Sequence, residues 1–173
     1  FSADHMLFAQ FDAIEHDATI VNWARAVSFL KDDSGRINGA VIKDAFSGEL
    51  REVKAGVVIN ATGPWTDLTR SLSSEQPNPL LRPTKGVHIV VDHAKLPVHH
   101  AVVCFHPTDE RVLFAIPWGD QTYLGTTDTD YKGDPAAAIA TPTDVDYLLS
   151  AAAAYFPGCK LTHDDIIATW AGL

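Results

Sequence analysis

The chain has 173 residues, 46% of them hydrophobic and 20% charged, a makeup that supports a core without disulfides or metal and excludes a disordered chain. Its net charge is −9 with no block of Lys or Arg, which argues against nucleic acid or an anionic membrane surface as main partner, though a few placed cations suffice for a small anionic substrate. No apolar run reaches the ~18 residues of a spanning helix, and Asp4 and His5 interrupt the start where a signal peptide would be apolar.

In chain order, Asp4 reads as an N-cap, and Leu7, Phe11 and Ile14 form one stripe of a helix ending near His16. His5 and His16 at its ends read as solvent-facing or capping residues. From Thr19 the pattern turns to β. Ile20–Leu30, Ile37–Phe46 and Leu50–Lys54 are predicted strands, joined by the turn residues Asp33-Ser34-Gly35 and Ser47-Gly48. They predict an antiparallel meander ahead of a buried strand over Val57–Asn60. That strand runs into Thr62-Gly63-Pro64 and a helical segment over Trp65–Leu72. A strand, a glycine turn and a helix N-terminus in succession is where α/β proteins place ligands, and also an ordinary connection.

Ser71–Pro83 is rich in Ser, Pro, Gln and Asn and reads as a linker. Strands are then predicted over Val87–Val91, Ala101–Phe105, Val112–Ile116 and Thr122–Gly125, with separations that suit an antiparallel sheet. Thr141-Pro142-Thr143-Asp144 is a capping box opening a helix, whose Val145, Leu148, Leu149, Ala152 and Phe156 make a core stripe stopped by Pro157-Gly158. Ile166–Trp170 is a final strand.

Several motifs carry candidate chemistry. Asp128-Thr129-Asp130 resembles the opening of a calcium loop, but Lys132 and Ile139 would stand at ligand positions, so calcium is rejected. His99, His100 and His106 lie near Cys104 without a closed zinc spacing, and no metal is expected. Cys104 and Cys159 lack C-x-x-C spacing and suggest buried thiols in a reduced, intracellular protein. No nucleophile elbow and no G-x-G-x-x-G occur. Gly125-Thr126-Thr127-Asp128 places hydroxyls and a carboxylate at a strand end, for a ligand or a turn. His88 stands inside an apolar strand, where an imidazole must be hydrogen-bonded or line a cavity. A satisfied core histidine and a working one are both open on these grounds.

Five segments taken together resemble one family. They are Asn60-Ala61-Thr62-Gly63-Pro64-Trp65-Thr66-Asp67, Gly86-Val87-His88-Ile89-Val90, Ile116-Pro117-Trp118, Leu124-Gly125-Thr126-Thr127-Asp128-Thr129 and Ala168-Thr169-Trp170-Ala171-Gly172-Leu173. In this order and spacing the chain resembles FAD-dependent glycerol-3-phosphate dehydrogenase, within the D-amino-acid-oxidase-like flavoproteins.

The resemblance implies a mixed α/β (α+β) fold. Residues 1–72 would form a partial FAD-binding lobe with the β-meander, 73–83 a linker, and 84–173 an antiparallel-sheet substrate lobe with packed helices. It implies oxidation of glycerol 3-phosphate to dihydroxyacetone phosphate, with electrons passing to FAD and then to a quinone. His88 would be the catalytic base by its Gly-Val-His-Ile context, and His88 and Thr127 would contact substrate. Ala61, Thr62, Gly63 and Trp65 would lie beside the flavin, and Ala26 and Val27 would meet the adenine through backbone groups.

Two departures mark the chain off from the family pattern. The glycine-rich FAD loop is absent. Ala171 stands where the family has Ser, and the chain stops at Leu173, before the Arg expected to grip the substrate phosphate. The chain therefore reads as an internal fragment of a longer enzyme, inactive in isolation. A cytoplasmic location is expected, with peripheral attachment to the inner membrane left open because the family docks on membranes. A related FAD-dependent amine or amino-acid oxidase, or a non-catalytic binding module, are the competing readings.

Overall fold

The computed structural model describes residues 2–73 and 78–173, with the side chains of 2–7 left undescribed. It divides into two compact units, one running through Thr62 and resuming over Thr66–Asn78, the other taking Gly63–Trp65 and Pro79–Leu173.

The first unit opens with α1 (Ser2–Glu15). Asp4 lies inside this helix and is therefore not its N-cap. The expected stripe is open: Phe11 is 63% and Ile14 51% exposed, and the side chain of Leu7 lies outside the described residues. His16 bonds through Nδ1 with the Asp12 carbonyl at 2.8 Å, an end-of-helix contact; His5 lies outside the described side chains. The meander forms as β1 (Ala24–Lys31), β2 (Ile37–Asp44) and β3 (Leu50–Lys54), each pairing antiparallel with the next. Its turns are locked by carboxylates. Asp32 accepts from Ser34 Oγ and from the backbone amides of Ser34 and Arg36, which holds its carboxyl below the ordinary value. Asp44 accepts from the amides of Phe46 and Ser47. β1 starts at Ala24 rather than Ile20 because Trp23 sits at φ 57°, a conformation that breaks an extended strand.

The buried strand expected over Val57–Asn60 is absent. This stretch is irregular, with Val57 73% and Ile59 82% exposed. An apolar run becomes a strand only when a neighbour completes its ladder. Among the described residues, the three strands of this unit pair only among themselves. The helical segment after the turn is a 3₁₀ turn at Gly63–Trp65 followed by α2 (Thr66–Ser71). Within the expected linker, residues 74–77 lie outside the described residues, and 78–83 carry no helix or strand.

The second unit is built on a six-stranded sheet. Its strands are β4 (Thr84–Asp92), β5 (Val102–Phe105), β6 (Val112–Trp118), β7 (Gln121–Gly125), the short β8 (Thr129–Asp130) and β9 (Ile166–Gly172). The order is β5-β6-β7-β4, with β8 and β9 both pairing antiparallel to β4. α3 (Pro142–Tyr155) covers one face. Its capping box is formed as the sequence implies: Thr141 Oγ1 accepts from the Asp144 amide, and the Asp144 carboxylate accepts from the Thr141 amide. Val87, Ile89, Val91, Leu113 and Leu124 point from the sheet toward Leu148, all fully buried in one core.

Two buried charges brace this layer. Lys85 Nζ donates to Asp144 Oδ2 at 2.6 Å and to the Ile139 carbonyl at 3.1 Å. They tie the start of β4 to the start of α3. Because strand side chains alternate, the opposite sheet face carries His88, Tyr123, Phe114, Trp118 and Trp170. Trp118 is 58%, Trp170 44% and Phe114 38% exposed, so this aromatic face is open.

Candidate active site

His88 sits at the middle of β4, the strand with the most partners in the sheet. Its register neighbours are Gly125 on β7 and Trp170 on β9. The imidazole leans over Gly125. A Cβ on that residue would fall 2.3 Å from His88 Cδ2 and 2.6 Å from Cγ, so the absence of a side chain there is what admits the ring. On the other flank the Trp170 indole stacks with the imidazole at 5.3 Å and 29°. Among the described residues no group hydrogen-bonds the ring, and no buried side-chain nitrogen lacks a partner. The imidazole nitrogens therefore face accessible space. His88 is half-buried, and that burial pushes its pKa below 6.5. At pH 7 the ring is neutral and can accept a proton.

The fit at Gly125 gives a direct test. Gly125→Ala is expected to force the imidazole off its seat or the strands apart, at a cost of about 1–3 kcal/mol. Chemical unfolding checks this, and an unchanged midpoint would show that the ring has room to spare.

Thr127 is 4% exposed, and its hydroxyl is occupied. Oγ1 donates to the Lys85 carbonyl at 3.1 Å and accepts from the Val87 amide at 3.0 Å. The side chain thus clamps the segment after β7 onto β4, one residue from His88, and it has no free hydroxyl hydrogen to offer a ligand. The same segment passes close to Gly86, where a Cβ would meet Thr126 Oγ1 at 2.6 Å. Arg111 donates to the Asp128 carbonyl and pairs with Asp109 at 3.4 Å.

The turn around Gly63 is held from within. Asn60 Nδ2 donates to the Thr66 carbonyl at 3.0 Å, and Asn60 Oδ1 accepts from the Thr62 amide at 3.2 Å and the Thr62 hydroxyl at 2.7 Å. Ala61, Thr62 and Gly63 are exposed, and Trp65 is 41% exposed. Gly63 has φ 52°, and nothing lies within 4 Å of where its Cβ would be. Its backbone is open to a ligand. Ala26 pairs with Ile42 and Ser28 with Val41, which leaves Val27 as the extra residue of a β-bulge, outside the ladder.

The clustered histidines do not converge on a metal. Among the described residues no group of three or more His, Cys, Asp or Glu is placed to hold one. His106 is buried, bonds through Nε2 with Ser150 Oγ at 2.9 Å, accepts at Nδ1 from the Thr108 amide at 3.2 Å, and stacks on Tyr147 at 3.6 Å. It pins the β5–β6 hairpin to α3. The residues that sequence reasoning left out of the site are Gly125 and Trp170. Both lie in quoted motifs, yet their meeting at His88 depends on strand register, which local pattern does not encode.

Residues 4–173 match the family model described as FAD dependent oxidoreductase. The alpha-glycerophosphate oxidase of Enterococcus casseliflavus is 46% identical over 158 residues, covering 90% of the chain and 26% of that protein. The aerobic glycerol-3-phosphate dehydrogenase of Staphylococcus haemolyticus is 40% identical over 161 residues, 93% of the chain and 29% of that protein. Among solved structures, glycerol-3-phosphate dehydrogenase from Bacillus halodurans complexed with FAD superposes with a TM-score of 0.86 at 39% identity, covering 92% of the chain and 32% of that protein. L-proline dehydrogenase from P. horikoshii shares the fold at TM-score 0.63 and 16% identity. The chain spans between a quarter and a third of the length of the first three of these relatives. The match over nearly the whole sequence means that the chain belongs to the FAD-dependent oxidoreductase family.

Proposed function

We propose that the protein carrying this chain oxidises glycerol 3-phosphate to dihydroxyacetone phosphate, passing electrons to FAD and then to a quinone. The observation that carries the reading is the His88 imidazole, with no hydrogen-bond partner among the described residues, on an open sheet face. Oxidising a secondary alcohol removes a hydride from carbon and a proton from the hydroxyl. His88 is the group suited to take that proton near neutral pH. FAD, when bound, supplies the hydride acceptor.

This chain's own residues suit the cofactor. The exposed backbone of Ala61, Thr62 and Gly63, with Trp65 beside it, would line the flavin. The bulge leaves Val27 free of ladder pairing, so that it can offer backbone groups to the adenine, with Ala26, paired to Ile42, beside it. Thr127 would act at the substrate side by holding β4 in place, through the two bonds that occupy its hydroxyl. A cytoplasmic location with peripheral membrane contact goes with a quinone acceptor. Among the described residues no helix is long and apolar enough to cross a membrane.

The experiment is anaerobic titration of the whole, flavin-loaded protein. Glycerol 3-phosphate is expected to bleach the flavin absorbance, and a quinone analogue to restore it. Bleaching by amino acids in place of glycerol 3-phosphate would overturn the reading in favour of an amine or amino-acid oxidase. Restoration by oxygen alone, with hydrogen peroxide formed, would replace the quinone by oxygen, as the oxidase names among the relatives allow. The 173 residues contain no glycine-rich phosphate loop. Expressed alone they are expected to purify colourless and inactive, and a yellow preparation would refute that.

A further inference from the structure

We propose that Trp170 is a positioning residue for His88, its indole walling the imidazole into one orientation over Gly125. The proposal rests on His88 as the base and deepens that reading. Trp170 stands beside His88 in the β4–β9 register, and the two rings stack. The same indole meets Tyr123 edge-on at 4.8 Å and 81°. Tyr123 is on β7, on the far side of β4 from β9. The indole must therefore reach across β4. Val90 lies in its path, between Tyr123 and Ala168 in the register, and is only 2% exposed despite facing the open side. Trp118 stacks on Tyr123 at 6.0 Å and 21°. The aromatic row Trp118, Tyr123, Trp170 thus ends on the imidazole.

Most catalytic histidines are oriented by a hydrogen bond from one ring nitrogen to a carboxylate or carbonyl. His88 has no such partner among the described residues. Rotation about the imidazole's second side-chain torsion is intrinsically broad. What restricts it here is shape, with the bare backbone of Gly125 below and the indole at its side. An aromatic wall fixes the plane of the ring while leaving both nitrogens free for substrate. Trp170 itself is 44% exposed and outside the packed core, so truncating it removes the wall and spares the fold.

The test uses the whole flavin-loaded protein with ¹³C-labelled histidine, the His88 signal being assigned by its loss in His88→Asn. Trp170→Ala is expected to move the His88 ring resonance, by removing the indole's ring current, and to lower kcat by roughly tenfold to a hundredfold with KM unchanged. Trp170→Phe is expected to restore most of kcat. An unmoved resonance, an unchanged kcat, a rise in KM with kcat intact, or failure of Phe to rescue would each overturn the proposal. The base reading fails separately: it falls if His88→Asn stays active, while the resonance still reports whether Trp170 holds the ring.

Discussion

Replacing His88 by Asn in the whole protein is expected to lower kcat for glycerol 3-phosphate by about 10²–10⁴-fold, the usual contribution of a positioned acid–base group. The flavin spectrum should persist, because no ladder or core contact depends on the His88 ring. The pH dependence gives the expectation a second edge. A base works in its unprotonated form. Burial has pushed the imidazole's pKa below 6.5, so activity should hold through neutral pH and fall as the medium is acidified through that lowered value. In His88→Asn the acid limb should disappear with the activity. Retention of turnover within a few-fold, with the limb in place, would assign the proton to another group.

The second large effect lies behind the sheet. Lys85→Ala is expected to destabilise the β4–α3 layer by about 3–5 kcal/mol, because it strands a buried carboxylate. Lys85 is 7% and Asp144 6% exposed, so water cannot replace the lost partner. Burial works against ionisation of Asp144, but the bonds from Lys85 and Thr141 outweigh it and hold the carboxyl below its ordinary 3.8. The stability that this ionisation contributes is in place above the ordinary carboxylate value, and is lost as pH falls through the lowered one. Amide exchange in α3 of the whole protein is the readout. Exchange unchanged in Lys85→Ala would mean the pair contributes nothing. Asp144→Asn should also destabilise the layer, since its amide oxygen can still accept from Lys85 but leaves that buried ammonium without a counter-charge.

The same pair shows how far local pattern reaches. Thr141-Pro142-Thr143-Asp144 announced a helix start, and the cap formed as written, because every group in it lies within one turn. That Asp144 would also meet Lys85, 59 residues earlier, was not written there. Strands β2 to β7 were legible from alternation and turn residues, since both are local quantities. The Val57–Asn60 run was not, because it met the apolar criterion without the neighbour that a ladder requires. The site divides along the same line. His88 was conspicuous as an imidazole in an apolar strand. The free state of its nitrogens, the clearance over Gly125 and the wall of Trp170 were invisible until the register was known.

Residue order therefore suffices for most of the strands, the capped helix, the family motifs and the choice of His88 as a candidate, all of which depend on neighbours a few positions apart. Which side chains stand beside that imidazole, which hydroxyl is already used up at Thr127, and which face of the sheet stays open depend on long-range pairing of β4, whose His88 meets Gly125 37 residues on and Trp170 82 residues on. A slip of one position would turn every one of those side chains to the opposite face. Register is a cooperative property of the packed sheet, and it is what makes a strand histidine a candidate base.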